Sequence, residues 1–459
     1  MEPNAPANPA EILIDHALAV DWADLPAADQ ERTLAFLHDS LAVGVAGRNA
    51  AHAEAILAVA KGWGEGGSAG VLGHASLRLP APSAAFINGF QIHGQEYDCV
   101  HEPAVLHPMA TVLSALLAEA ARGDAVSGAE FLSAVVAGID VAVTLGLAAP
   151  DALRFFRPAT AGIFGCVAAI ARLRRLPRGI ALDAFGHALA LVSGTMQAHV
   201  EGKPALPIQV ANASRNALVA VDLALAGIAG VTRPLDGPFG YFALMELREE
   251  LAPALEKLAR GHRVTEVSWK PFPTGRAGHG GIVAAQHLMA EGLTAATLDT
   301  LEYHAPPLIF RLVGRPAKAG MEPGYARLCL AYLIAVTLLR GTVALGDFTR
   351  AALDDGATLA LAARIRVVAD GNPDQAAFVP ARAEARLADG TVLGHAVAAQ
   401  LGSPAWPLST EQRMDKARAC LVFAGLERCH DALAAAVAAM PEAEDALATI
   451  GASGIIAVH

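Results

Sequence analysis

Apolar residues recur at helical spacing through about the first 260 positions, with short polar breaks between runs. Within residues 26–47, Leu34, Leu37 and Leu41 share a face, and Gly47 stands where a C-cap glycine belongs. Pro9 opens a helix ahead of that run, and residues 50–62 predict one behind it. Residues 84–94 and 108–121 predict two more, the second with Pro108 in its first turn. Residues 131–147 and 159–173 are apolar on nearly all sides, the pattern of helices buried within a protein. Residues 180–191 and 212–226 complete the set. The Gly-rich segment 64–70 reads as turns, and only Ser76-Leu-Arg-Leu alternates in a strand-like way.

The period changes near Arg263. Residues 264–271, 298–304 and 363–368 alternate, and residues 385–394 carry an Asp389-Gly390 turn between two β runs, a strong hairpin signal. Helical patterns intervene at 277–290 and 324–339. After Pro404 and Pro407 comes a helical tail with Ser409-Thr410-Glu-Gln as its opening cap. The expected fold is therefore mainly α with a second α+β domain. Residues 1–261 and 404–459 form a large all-helical bundle, and residues 262–403 a smaller α+β lid.

A chain of 459 residues exceeds one hydrophobic core, which agrees with two domains. The mean hydropathy is positive, but the best spanning candidate, 131–149, is interrupted by Gly138 and Asp140, and the first ten residues lack a signal-peptide pattern. The expectation is a soluble, cytoplasmic protein. Five scattered cysteines without a Cys-x-x-Cys pair argue against a disulfide framework or a thiolate metal site. A net charge of −11 disfavours nucleic acid or an anionic membrane as partner. It also means that a small anionic substrate needs a local cluster of cations.

Candidate chemistry concentrates between His93 and Met109, where three His, two Glu and one Asp fall in a chain otherwise poor in charge. Glu96, Asp98, His101 and His107 offer an acid/base pair or metal ligands; a turn or cap role for Asp98 is the plain alternative. A second group, Lys270, Arg276 and His279 around a Pro-Phe-Pro turn, offers cations and a helix start to a carboxylate, or simply connects a strand to a helix. Arg157 precedes a buried helix and needs water or an anion as partner. Gln209, with Lys203 and Arg215, is a further candidate anion ligand or cap.

These stretches, in this order, resemble the MmgE/PrpD family, which includes 2-methylcitrate dehydratase, cis-aconitate decarboxylase and iminodisuccinate epimerase. The likeness is clearest at Asn88-Gly89, His93, Glu96-Tyr97-Asp98-Cys99 and His107-Pro108, and again at Lys270-Pro-Phe-Pro with His279. Arg315-Pro316 ahead of Ala326-Arg327 is a further match. The resemblance implies a large helical domain, a smaller α+β lid, a site between them, a homodimer, di- or tricarboxylate substrates, and neither cofactor nor metal. This chain departs from the family where Phe156 or Arg157 replaces a His and Leu206 replaces a Lys.

The implied activity is a cofactor-independent lyase, of dehydratase or decarboxylase type, that removes a proton next to a carboxylate. An isomerase or epimerase of a dicarboxylate, or a silent carboxylate-binding member, is the alternative. His107 is the expected acid/base with Asp98 as its partner, and Lys270 stabilises developing charge. Glu96, His101, Arg157, Gln209, Arg276 and His279 are the expected substrate-binding groups.

Overall fold

The computed structural model describes residues 7–458 apart from positions 65, 152, 247 and 375. The helical part runs α1 (Pro9–Ala19), α2 (Ala27–Ala46), α3 (Ala53–Gly62), α4 (Ala81–His93), α5 (Pro108–Ala120), α6 (Gly128–Leu147), α7 (Arg157–Thr160), α8 (Gly162–Leu173), α9 (Arg178–Leu191), α10 (Gln197–Glu201) and α11 (Ala205–Leu225). Local chemistry sets several starts. Asn8 caps α1 ahead of Pro9, Ser127 accepts from Glu130 N at the head of α6, and Pro108 opens α5.

Helices α4, α5, α6, α8 and α11 form the centre of the bundle, α6 lying on α8 and α4 on α11. The α6–α8 approach depends on glycine: a Cβ at Gly165 would stand 2.6 Å from Gly138 O. Gly47 does end α2, but with φ −62, so a left-handed cap is not its reason. A Cβ there would meet Gln91 O at 1.9 Å, and the residue is small so that α2 can touch α4. Helix α6 is long and apolar enough to cross a membrane by length and composition, contrary to the expectation from its interruptions. It is nevertheless a core helix, with Asp140 fully buried at its midpoint.

Two strands, β1 (Ala69–Val71) and β2 (His74–Leu79), form an antiparallel pair where the sequence suggested turns and one short alternation. The second domain holds β3 (Leu298–Ala305), β4 (Ile365–Ala369), β5 (Ala381–Leu387) and β6 (Val392–Val397) in the order β4-β3-β5-β6. Strands β3 and β4 are parallel, the other pairs antiparallel, and the Asp389-Gly390 turn closes the β5–β6 hairpin with Gly390 at φ +88. Helix His279–Ala290 packs on β5 and β6, and helix Leu330–Arg340 on β4.

One expected strand is absent from this sheet. Residues 264–271 instead form a short turn (Val264–Glu266) and a single bridge, in which Val100 N and Ser268 N each donate to the other's carbonyl. Their alternating apolar residues are buried against the helical domain. This is how the second domain is stitched to the His93–His107 loop. The tail helix Thr410–Phe423, capped reciprocally by Ser409 and Gln412, packs on α2.

Candidate active site

The loop between α4 and α5 is held open by two non-glycine residues in the left-handed region, Glu96 at φ +51 and Val105 at φ +49. Such conformations persist only where the surroundings enforce them. Here Tyr97 donates to Pro271 O, Lys416 Nζ donates to Tyr97 O at 2.8 Å, and His101 and Leu106 bridge across the loop. Helix α4 ends at His93 and α5 begins after His107, so both imidazoles sit at helix ends and point into the same space.

Asp98 is the centre of that space and is wholly buried. Its carboxylate accepts from His93 Nδ1 at 3.1 Å and from His107 Nδ1 at 3.1 Å, with Lys270 Nζ 3.8 Å away. Burial opposes its ionisation, but His107, His93 and Lys270 together hold its carboxyl well below the usual range. A carboxylate can only accept, so each ring carries its proton on Nδ1. The two rings lie 4.7 Å apart, edge to face.

Their environments push the rings in opposite directions. Burial dominates at His107 and lowers its pKa, so the ring is neutral and Nε2 is a free base. At His93 burial also lowers it, but Asp98 and Glu96 outweigh burial and raise the value. His93 Nε2 is buried without a hydrogen bond, 3.6 Å from Glu96 Oε1. His107 Nε2 has no protein partner among the described residues, and its ring borders a cavity. Two groups of one type driven apart by their surroundings are the usual sign of an acid and a base.

Lys270 is fully buried and donates to Glu96 Oε2 at 2.9 Å and Glu96 O at 3.1 Å. Burial works against the Glu96 charge, yet Lys270, His93 and His107 bring its pKa to about 2. Glu96 is thus the anion that now neutralises the lysine.

Two cavities flank Glu96 and Leu206, which line both. The smaller, 50 Å³, is bordered by His107, Phe156, His199 and Arg276 and otherwise mostly by apolar side chains. The larger, 380 Å³, is bordered by His93, Gln95, Lys203 and Arg327. A water occupies about 30 Å³ and small-molecule sites start near 300 Å³, so only the larger has the volume for a small polycarboxylate. Arg327 is buried, donates to Gln95 O and Pro273 O, and keeps a pKa of about 9 although burial lowers it. Lys203 is exposed and has no ion-pair partner among the described residues.

Several residues singled out from sequence stand elsewhere. Arg157 is not a free cation: Glu246 grips it at 3.1 Å through two bonds, and the carbonyls of Ala104 and Asp151 take further donors. His101 is locked between Glu266 and Ala104 N. Gln209 lies within α11, which begins seven residues before the predicted start, and accepts from Thr195 N without bordering either cavity. His279 is buried and driven well below 6.5 by burial and then by Arg276, so it supplies no charge at neutral pH. Arg276 borders the small cavity, but Glu102 at 2.7 Å and the carbonyls of Trp269 and Leu401 occupy its donors.

Conversely, His93, Arg327 and His199 border the cavities without having been given a role from sequence, whereas Lys203, a candidate anion ligand, does line the larger one. His93 could have been found from its spacing to Asp98. Arg327 stood in a segment that matched the family without a role attached, and His199 is brought in by tertiary packing alone.

The ring and carboxylate atoms of His93, Asp98 and His107 also lie within 4.8 Å of one another, as metal ligands would. Lys270 places a positive charge against the same carboxylate, which disfavours a dication there.

The chain matches the MmgE/PrpD N-terminal domain over residues 11–254 and the MmgE/PrpD C-terminal domain over residues 272–439. It is 28% identical over 367 residues to a cis-aconitate decarboxylase-like protein of Aspergillus oryzae, covering 74% of this chain and 75% of that one. It is 25% identical to the cis-aconitate decarboxylase of Mus musculus over 431 residues, 90% of this chain and 86% of the mouse protein. The human cis-aconitate decarboxylase is 29% identical over 296 residues, 61% of this chain and 60% of its own length.

Proposed function

The chain belongs to the MmgE/PrpD family, and on that premise we propose that it is a carboxylate lyase whose acid/base is His107 and whose reaction is loss of CO2 from a small polycarboxylate. The observation that carries this reading is the state of His107: Nδ1 is anchored on Asp98 while Nε2 is unpartnered at the edge of a cavity. A neutral imidazole held this way is a base of suitable strength. It relocates a proton between carbons next to a substrate carboxylate. Lys270 and, when protonated, His93 stabilise the enolate-like charge, which takes over the contacts that Glu96 now fills. The carbon–carboxylate bond then breaks, its electron pair stays on carbon, and a solvent-derived proton delivered by His107 fills it.

Decarboxylation is favoured over dehydration by the cavity wall. Phe156 and Leu206 present no acid to a leaving hydroxyl, and Val105, Leu153 and Met196 extend the apolar lining. Apolar surroundings favour conversion of a compact carboxylate into CO2 and a delocalised charge. The names of the similar proteins agree with that choice. The substrate body is assigned to the 380 Å³ cavity, with Lys203 at its mouth and Glu96 as the side chain that must swing aside.

The experiment is NMR of candidate di- and tricarboxylates in D2O, cis-aconitate first. CO2 release with deuterium in the product is expected. Deuterium exchange without CO2 marks an isomerase, and loss of water marks a dehydratase. Full turnover by His107→Asn would end the assignment.

A further inference from the structure

A second pair of imidazoles meets a buried carboxylate far from this chemistry. Asp140, in the middle of α6, is fully buried. One of its oxygens, Oδ2, accepts from His16 Nε2 of α1 at 2.9 Å and from His262 Nδ1 at 2.7 Å. The other, Oδ1, accepts from Arg263 N at 2.7 Å. Both histidines are partly open to solvent, with side-chain exposures of 21% and 18%, and neither has a partner on its other ring nitrogen among the described residues.

We propose that His16, Asp140 and His262 form a binding site for a borderline divalent metal such as Zn2+ or Co2+. Two imidazoles and a carboxylate, with ligand atoms within 4.8 Å of each other, supply three of the four ligands such ions take. With bonds of about 2 Å, tetrahedral ligand atoms lie roughly 3.3 Å apart. The present 2.7 and 2.9 Å separations therefore need to open by only a few tenths of an ångström. The Arg263 amide already orients the carboxylate, as outer-shell donors do at metal centres.

The contrast with the catalytic cluster decides between the two. Lys270 stands against Asp98 there. Here Arg263, next to His262 in the chain, turns its guanidinium to Glu266 and Gly261 O. The ligands come from α1, α6 and the segment entering the second domain, so a bound ion would tie that crossover to the bundle core.

The test is titration of chelator-treated protein with Co2+, followed by visible d–d absorption, and with Zn2+, followed by thermal midpoint. One Co2+ per chain is expected. His16→Gln and His262→Gln are each expected to weaken binding at least about 100-fold, whereas His107→Gln leaves it intact. X-ray absorption of the Zn2+-loaded wild type is expected to show two imidazoles with oxygen donors and no sulfur, a readout that needs no variant to fold. Absence of binding by the wild type, a sulfur ligand, binding unchanged in both His16 and His262 variants, or binding lost with His107→Gln would each overturn the proposal.

Discussion

Replacing Lys270 by Met removes the cation that two buried carboxylates share. Its ammonium lies 2.9 Å from Glu96 and 3.8 Å from Asp98, so at an effective dielectric of 20 the two attractions are about 6 and 4 kcal/mol gross. The net loss is smaller, because a stranded carboxyl can take a proton instead. Broken buried pairs typically cost about 3–5 kcal/mol, and that is the expected fall in unfolding free energy at pH 7.5. The sign of the pH dependence should also reverse. In the wild type the Glu96 pKa is depressed to about 2, so its contribution is present above 4.5 and is lost as pH falls. In Lys270→Met burial is opposed only by the imidazoles and the folded pKa rises above 4.5. The stability due to Glu96 is then greatest in mild acid and is lost as pH rises through that raised value. Adding Glu96→Gln should restore at least about 2 kcal/mol, since an amide needs no counter-charge. Urea denaturation of the four proteins of this cycle at pH 5 and 7.5 measures all of it. A single-variant loss below about 1 kcal/mol, or no rescue by Glu96→Gln, would show that Lys270 is not the partner described.

Other outcomes follow from the same geometry. The rate of carbon–deuterium exchange should plateau between an acid limb below 6.5, where His107 gains its proton, and an alkaline limb above 6.5, where His93 loses its own; His93→Asn should remove the alkaline limb and His107→Asn the whole rate. Burial lowers His38 and His199 to about 4. Between pH 6.5 and 4 the unfolded chain therefore binds protons that the folded one refuses, and stability should fall by at most about 3 kcal/mol per residue across that window, measured by denaturation against pH. Lys203→Ala should raise KM roughly 2–5-fold with kcat unchanged, because an exposed ammonium contributes about 0.5–1 kcal/mol to holding a carboxylate.

Periodicity carried most of the architecture, and where it failed another force had taken over. Residues 264–271 alternate like a strand, but the Ser268 and Trp269 amides donate to Val100 O and Gly402 O, so the segment clasps the His93–His107 loop instead of joining the sheet. Helix α11 starts at Ala205 despite Pro207 because proline is tolerated in a first turn, where no intrahelical donor is needed. Within the site, His107, Asp98, Glu96 and Lys270 were legible because one short loop and one turn carry them. Charge state was not. Arg157 and Arg276 look like substrate cations on paper, yet Glu246 and Glu102, distant in sequence, neutralise them.

That neutralisation bears on how the site works. The fully buried cation beside Asp98 is Lys270, and it is occupied by Glu96. The small cavity at His107 holds 50 Å³, space for a water or two. On the proposed reading, a polycarboxylate reaches His107 by displacing Glu96, so substrate charge and Glu96 charge compete for one ammonium. Glu96→Gln should then bind carboxylates more tightly than the wild type, since the amide competes weakly. It should turn over more slowly, because His93 would keep Asp98 but lose Glu96, the second of the two anions that raise its pKa. Equilibrium dialysis of a dicarboxylate against both proteins, read beside their rates, separates these effects. Weaker binding by Glu96→Gln would mean that the glutamate helps hold the ligand and does not guard its place.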